Sequence, residues 1–183
     1  MEEIINQSYN YELIESSDKR VVYNFTSKGK KDIIKRVFFE KIIENSTIYN
    51  LSFGNVVITE EGEDITDKSR DNNPDVNKVL STVFSCTIDF LSRYSSSRVI
   101  LWGNTESKNR LYKMSISNNL KDFKGYLKVY GCVFNNMELN YDKEGFKTPN
   151  FENFNFSDII SFNYDKNNSK DYNFVLINVD DLK

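Results

Sequence analysis

The residues best suited to chemistry gather in short stretches. The first runs Gly103-Asn104-Thr105-Glu106-Ser107-Lys108-Asn109-Arg110-Leu111-Tyr112. Gly103 permits close backbone approach, and Asn104, Thr105 and Ser107 offer hydrogen bonds. A helix starting here presents free N–H groups, and Lys108 and Arg110 add positive charge. Together these residues suit a phosphate or a carboxylate. Tyr112, or nearby Trp102, could stack on a base. Between residues 98 and 128, Lys and Arg outnumber Asp and Glu seven to two. A capped helix with a solvated basic face would use the same residues.

The second stretch is Asn72-Asn73-Pro74-Asp75, followed by Lys78. Asn73 suits a helix N-cap, Pro74 the first helical position, and Asp75 the positive end of the helix dipole. Asn72, Asn73 and Asp75 thus form a polar cluster at a helix start. Residues 60–75 also carry Glu60, Glu61, Glu63, Asp64, Asp67, Asp71 and Asp75 against Lys68 and Arg70. Carboxylates with Asn72 and Asn73 could hold Mg²⁺ or Ca²⁺, but the spacing fits no EF-hand loop, and a solvated acidic loop is the expectation. A third stretch, Lys28, Lys30, Lys31, Lys35 and Arg36 around Gly29, reads as a solubilising hairpin tip or a basic turn against nucleic acid.

The chain contains no histidine. That excludes Ser-His-Asp triads, imidazole bases and His–metal sites. A Ser or Cys nucleophile would need Lys or a carboxylate as its base. A histidine-free nuclease would draw its catalytic groups from Asp75, Lys78, Arg110 and Tyr112. No phosphate-binding or dinucleotide glycine fingerprint is present. Cys86 and Cys132 are expected to be buried free thiols, since two Cys without His assemble no zinc set. No metal and no cofactor is expected.

These residues need elements to position them. Val21–Ser27 and Ile33–Ile43 are β-rich runs around a Gly-containing turn, which predicts an antiparallel hairpin. Ile48–Ile58 is a further strand, with Gly54 as a bulge or bend, and Tyr9–Ile14 adds a short one. Val76, Val79, Leu80, Val83, Thr87, Phe90, Leu91 and Tyr94 recur at helical spacing, so a helix is expected over 74–94. Arg98–Trp102 reads as a strand. A second helix is expected over 106–119, capped by Thr105 or Asn104, although the alternation Tyr112, Met114, Ile116 also fits a strand. Gly125–Phe134 is a strand, and Met137–Tyr141 its hairpin partner. Residues 142–170 lose any steady period. Phe146, Phe151, Phe154 and Phe156 there suit an irregular segment docked on the core, or an aromatic arm for a partner. Tyr172–Val179 closes the chain as a strand. The order β-β-β-α-β-α-β-β argues for a single α+β domain over 1–183. Its sheet is mainly antiparallel, and two helices pack on it.

The chain has 183 residues, 24 basic against 27 acidic, for a net charge of −3. Aromatic residues make up 14%, too bulky a composition for disorder. Asn is abundant and Ala absent, which suggests a genome poor in G and C. No window approaches the roughly 20 apolar residues of a membrane span, and the acidic N-terminus has no secretory pattern. The cytoplasm is the expected compartment.

Four blocks resemble the pattern of an uncharacterised family of small Bacteroidota proteins. They are Phe25-Thr26-Ser27-x-Gly29, Tyr49-Asn50-Leu51-x-Phe53-Gly54-Asn55, Asn72-Asn73-x-Asp75-Val76-x-Lys78-Val79-Leu80-x-Thr82-Val83, and the Gly103–Tyr112 run. The resemblance spans about 9–134 plus the terminal strand. It implies family membership and no activity, since that family has no assigned function. Lys108 stands where the pattern has Arg, and Asn55 where it has Asp. The 142–170 segment is longer than the pattern.

Without a complete catalytic set, and with charge so segregated, the sequence favours a small intracellular binding or interaction protein. It would act through the strand–helix turn and the charged patches, on a protein partner or a second copy, in a bacterial defence or toxin–antitoxin setting. The alternative is an RNase-like enzyme on nucleic acid or nucleotides, taking a phosphate-bearing ligand without histidine.

Overall fold

Alternating large apolar residues build the first half of the molecule. In β1 (Tyr11–Ser16), β2 (Arg20–Ser27), β3 (Ile33–Lys41) and β4 (Ile48–Thr59), every second side chain turns to one face. Val21, Tyr23, Phe25, Val37, Phe39, Tyr49 and Leu51 are buried there. The computed structural model describes residues 7–42, 44–60, 62–66, 73–123, 127–132, 139–141, 147–149, 159–162 and 174–179.

Helix α1 (Val76–Arg93) covers this face with Val79, Leu80, Val83, Phe84, Phe90 and Leu91. Phe90 lies at the centre of the packing, stacked on Phe39 at 4.3 Å between ring centroids. β6 (Arg98–Leu101) then runs parallel to the first half of β4, Ile48 opposite Arg98 and Leu51 opposite Leu101. Helix α2 (Glu106–Phe123) follows, then β7 (Leu127–Cys132). Four further strands complete the described chain: β8 (Leu139–Tyr141), β9 (Lys147–Pro149), β10 (Ile159–Ser161) and β11 (Phe174–Val179). The sheet order is β1-β2-β3-β4-β6-β11-β7-β10. β5 (Gly62–Thr66) also pairs with β4, giving nine strands, antiparallel except for β4 and β6. The α+β class with helices on a mainly antiparallel sheet is therefore the observed architecture.

Several local expectations are corrected. The acidic loop after β4 begins as a strand, because residues 62–66 pair back on β4 and Arg36 binds Glu63 at 2.8 Å. Residues 67–72, Asn72 among them, lie outside the described residues. Gly54 sits in regular register opposite Arg36, and the irregularity falls between Leu13 and Glu15 instead. The expected partner of β7 pairs elsewhere: β8 joins β9 in a separate ribbon. The supposedly irregular 142–170 segment supplies β9 and β10, and β10 pairs with β7. Phe146, Phe151, Phe154 and Phe156 lie outside the described residues, whereas a fifth Phe of the segment, Phe162, is buried in the core and its amide donates to the Val129 carbonyl at 3.1 Å. The 106–119 stretch is helical and continues to Phe123.

Both cysteines are buried and free. Burial pushes the Cys132 thiol up to about 11 and raises Cys86 further.

Buried phenols give the fold an alkaline limit. Burial, followed by the thiol of Cys86 and the Asp89 carboxylate, pushes Tyr11 up to about 12 from the usual 10. Burial also raises Tyr23, whose hydroxyl donates to Asp89 Oδ2 at 2.7 Å. A phenol whose folded pKa is raised stabilises the fold fully below its unfolded value and loses that contribution as pH rises through the folded one. Stability is therefore expected to hold to about pH 10 and to fall between about 10 and 12. Phenolate absorbance followed alongside circular dichroism checks this. If every tyrosine ionised near pH 10 with the fold intact, the argument would fail.

Candidate functional site

One end of the sheet collects nearly everything the sequence singled out. β4 and β6 are parallel, so their carboxyl ends point the same way, the end at which ligands favour parallel strands. α2 starts directly after β6 there. The β2–β3 tip, with exposed Lys28, Lys30 and Lys31, lies at the same end, since Lys35 opposes Asn55 near the outer half of β4. The β4–β5 hairpin projects beside it with exposed Glu60, Glu63 and Asp64, and with Ile58 79% exposed.

The start of α1 is tied to this end by hydrogen bonds. Asp75 Oδ2 accepts the Ser27 hydroxyl at 2.6 Å and the Tyr9 hydroxyl at 2.8 Å. Asn73 Nδ2 donates to Ser27 Oγ at 3.1 Å and to the Lys31 carbonyl at 3.0 Å. The Lys28 amide donates to the Tyr9 hydroxyl at 3.1 Å, and the Tyr9 amide to Thr82 Oγ1 at 2.8 Å. Lys78 Nζ sits 4.3 Å from the centre of the Tyr9 ring, a cation–π contact. Burial, the leading cause, raises the Tyr9 phenol above its usual value. Gly29 is required at the tip, because a Cβ there would come within 2.3 Å of Asn73 Oδ1.

This network corrects the capping scheme. The helix begins at Val76 with Asp75 as its N-cap, and Asp75 makes no side-chain cap bond. Its carboxylate is turned to Ser27 and Tyr9 instead. Asn73, expected as the cap, is buried against the β2–β3 tip, and Pro74 precedes the helix.

α2 begins more conventionally. The Lys108 amide donates to Thr105 Oγ1 at 3.2 Å, so Thr105 caps the helix. The missing side chain of Gly103 is used by the helix itself: a Cβ would lie 2.2 Å from the Asn109 backbone nitrogen. Backbone gives way less readily than a side chain. Gly103→Ala is therefore expected to cost about 1–3 kcal/mol in denaturant unfolding, and a neutral result would mean the turn relaxes freely. Along α2, Lys113, Ile116 and Phe123 are buried on one stripe, with Leu120 packed against the core.

Within the sequence-derived catalytic set, and among the described residues, the contacts of Asp75 and Lys78 fall in one group and the ring contact of Tyr112 in another. Asp75 and Lys78 belong to the Tyr9–Ser27 network. Tyr112 packs its ring on Phe53 at 5.7 Å. Arg110 is exposed, two residues away and so about 200° around the helix. Among the described residues, no hydrogen bond or ion pair joins Arg110 to Asp75. Asn104 is half-buried, whereas Thr105 and Ser107 are exposed at the turn and Lys108 is half-buried. No group of three His, Cys, Asp or Glu among the described residues could hold a metal ion.

Sequence reasoning missed the burial of Lys35, Asn55 and Lys113, and the role of Tyr9 and Ser27. A signal existed for Lys35, which shares the inward alternation of Val37 and Phe39.

A family model described as "Family of unknown function (DUF6934)" matches residues 6–159. No curated protein and no solved structure matches the chain.

Proposed function

The chain belongs to this family of unknown function, and on that premise we propose that it is a binding protein. It acts through the charged end of the sheet, on a protein partner or a second copy of itself. The observation that supports this reading is that Asp75 and Lys78 are engaged with Tyr9 and Ser27, while Tyr112 packs on Phe53. Asp75 accepts two hydroxyl protons and holds the α1 start, while Arg110 stands apart on solvent. The same end sets a cationic tip (Lys28, Lys30, Lys31) beside an acidic hairpin (Glu60, Glu63, Asp64), with Lys108 and Arg110 at the α2 start. Segregated charge of both signs suits an electrostatically matched partner. Cytoplasmic residence, a Bacteroidota source and a defence or toxin–antitoxin setting belong to this proposal. No helix among the described residues is long and apolar enough to cross a membrane.

Co-purification from the native host and light scattering, each at low and high salt, test the proposal. A complex that weakens with salt, and weakens further in a Lys30→Glu, Lys31→Glu variant, is expected. A solitary monomer with no retained partner at low salt would overturn it.

The lesser reading, a histidine-free enzyme on nucleic acid, draws on the gathering of Lys, Arg, Asn and Tyr at this one end. Toxicity on induced expression, with RNA cleavage lost in Arg110→Ala, would transfer the weight to it.

A further inference from the structure

Both helices pack on the face of the sheet that carries Phe25, Val37, Phe39 and Leu51. The alternate residues face the other way. At the charged end this outer face bears an apolar stripe. Thr26 pairs with Ile34 across β2 and β3. Ile34 and Val56 follow the Lys35–Asn55 pair on β3 and β4, and Val56 pairs with Ile65 on β5. Thr26, Ile34, Val56 and Ile65 thus form one row across four strands. Ile58 lies two residues beyond Val56 on the same side. Ile65 leans over Gly54, where a Cβ would come within 2.8 Å of its Cγ2. Arg36, opposite Gly54, reaches Glu63 at 2.8 Å from that same side.

Ile34 is 48% exposed and Ile58 79%. One such residue is ordinary on a surface, but contiguous apolar side chains rimmed by charge mark a contact site. Here the rim is polarised. Lys30 and Lys31, exposed on the β2–β3 tip, flank the Thr26–Ile34 end. Glu60 and Asp64, exposed on the β4–β5 hairpin, flank the Ile58–Ile65 end. A groove of about 570 Å³ opens beside the first end, bordered by Thr26, Ile34, Lys28, Glu12 and Asn24. Ile58 stands out as a knob at the second.

We propose that this face binds a second copy of the chain, sheet against sheet, across a two-fold axis running along the strands. The inference rests on the partner-binding reading above and commits it to self-association. Such an axis keeps both charged tips at one end and exchanges left for right. It sets the cationic tip of each copy over the acidic hairpin of the other, and each Ile58 over the other copy's groove beside Ile34. A two-fold interface must be self-complementary, every contact occurring twice. A patch with a positive end, a negative end, a groove and a knob meets that condition, whereas an unrelated partner would not require all four in one chain. Aligned packing is the usual way for two twisted sheets to meet. Opposite charge at the two ends fixes the orientation, because the reversed arrangement sets like against like.

The test uses the isolated full chain, in sedimentation velocity over a concentration series at low and high salt. Reversible dimerisation that weakens with salt is expected. Ile58→Asp should weaken it at least about tenfold and leave folding intact, since Ile58 is exposed. Charge reversal supplies the decisive arm. Lys30→Glu with Lys31→Glu sets a negative tip against the acidic hairpin. Glu60→Lys with Asp64→Lys sets lysines against the cationic tip. Each variant alone should dimerise more weakly than wild type by about tenfold or more. An equimolar mixture should associate more tightly than either, because the substituted residues of one variant then face opposite charge in the other. A wild type that stays monomeric at high micromolar concentration would overturn the proposal, and a partner retained from the native host would leave the broader reading standing. Dimerisation unaltered by Ile58→Asp, or no recovery in the mixture, would overturn it as well, by placing the interface elsewhere.

Discussion

Phe90→Ala lowers stability by about 3–5 kcal/mol, the range for deleting a buried ring. Phe90 is fully buried. Its ring stacks on Phe39 at 4.3 Å and meets Tyr49 at 5.0 Å and Tyr94 at 5.1 Å. These partners come from β3, from β4 and from the end of α1. Truncation therefore opens a hole that three elements would all have to shift to close. Lost transfer energy, lost ring–ring contact and residual cavity add up. A domain typically has 5–15 kcal/mol in total, so the variant stands near the edge of folding. Phe90→Leu, which keeps most of the volume, should cost markedly less. Urea unfolding of the three proteins at equal m-value measures the difference. A loss under about 1 kcal/mol for the Ala variant would show that this aromatic cluster does not hold α1 to the sheet.

Which parts of this design could be read from the chain follows from how local each signal is. α1 is legible because a single stripe recurring every three or four residues fixes both its existence and its buried side. The β2–β3 hairpin is legible through its Gly-containing turn and its alternation. β5 is not, because a two-stranded ribbon beyond the main sheet buries little and its Glu63 and Asp64 stay exposed. The type of α2 is blurred by the alternation Tyr112, Met114, Ile116, which suits a strand as well as a helix. The central place of β11, between β6 and β7, depends on pairing with strands more than 40 residues away, which no local period encodes. The candidate site divides on the same principle. Its residues could be named, but their partners could not. Asp75 looked like a helix-end carboxylate, and its ties to Tyr9 and Ser27 span 66 and 48 residues. Lys35 looked like one more charge on a basic tip until the register set it on the inward face.

Asp75→Ala is the variant with the second large effect, about 2–4 kcal/mol. One carboxylate oxygen accepts two hydroxyl protons, from Ser27 at 2.6 Å and Tyr9 at 2.8 Å. Ser27 is fully buried, so water cannot replace the lost acceptor. Leaving a buried donor unsatisfied costs about 1–3 kcal/mol, and hydrogen bonds to a charged group exceed neutral ones. The damage should spread, because Ser27 Oγ also accepts from Asn73 and the Tyr9 hydroxyl also accepts the Lys28 amide. Amide exchange should therefore rise at the β2–β3 tip and in the first turn of α1 together, while the Phe90 region stays protected. Asp75→Asn keeps an acceptor of the same shape and should recover about half of the loss. A double-mutant cycle with Ser27→Ala should give a coupling within the 0.5–3 kcal/mol expected for groups in one network. The pair also separates scaffold from catalyst. A positioning carboxylate moves stability and local exchange, and Asn partly rescues it. A general base would leave stability almost unchanged in Asp75→Asn and abolish turnover instead. If Asp75→Asn folded as well as wild type and exchange at the tip did not change, Asp75 would be free for chemistry. The enzyme reading would then have its carboxylate back.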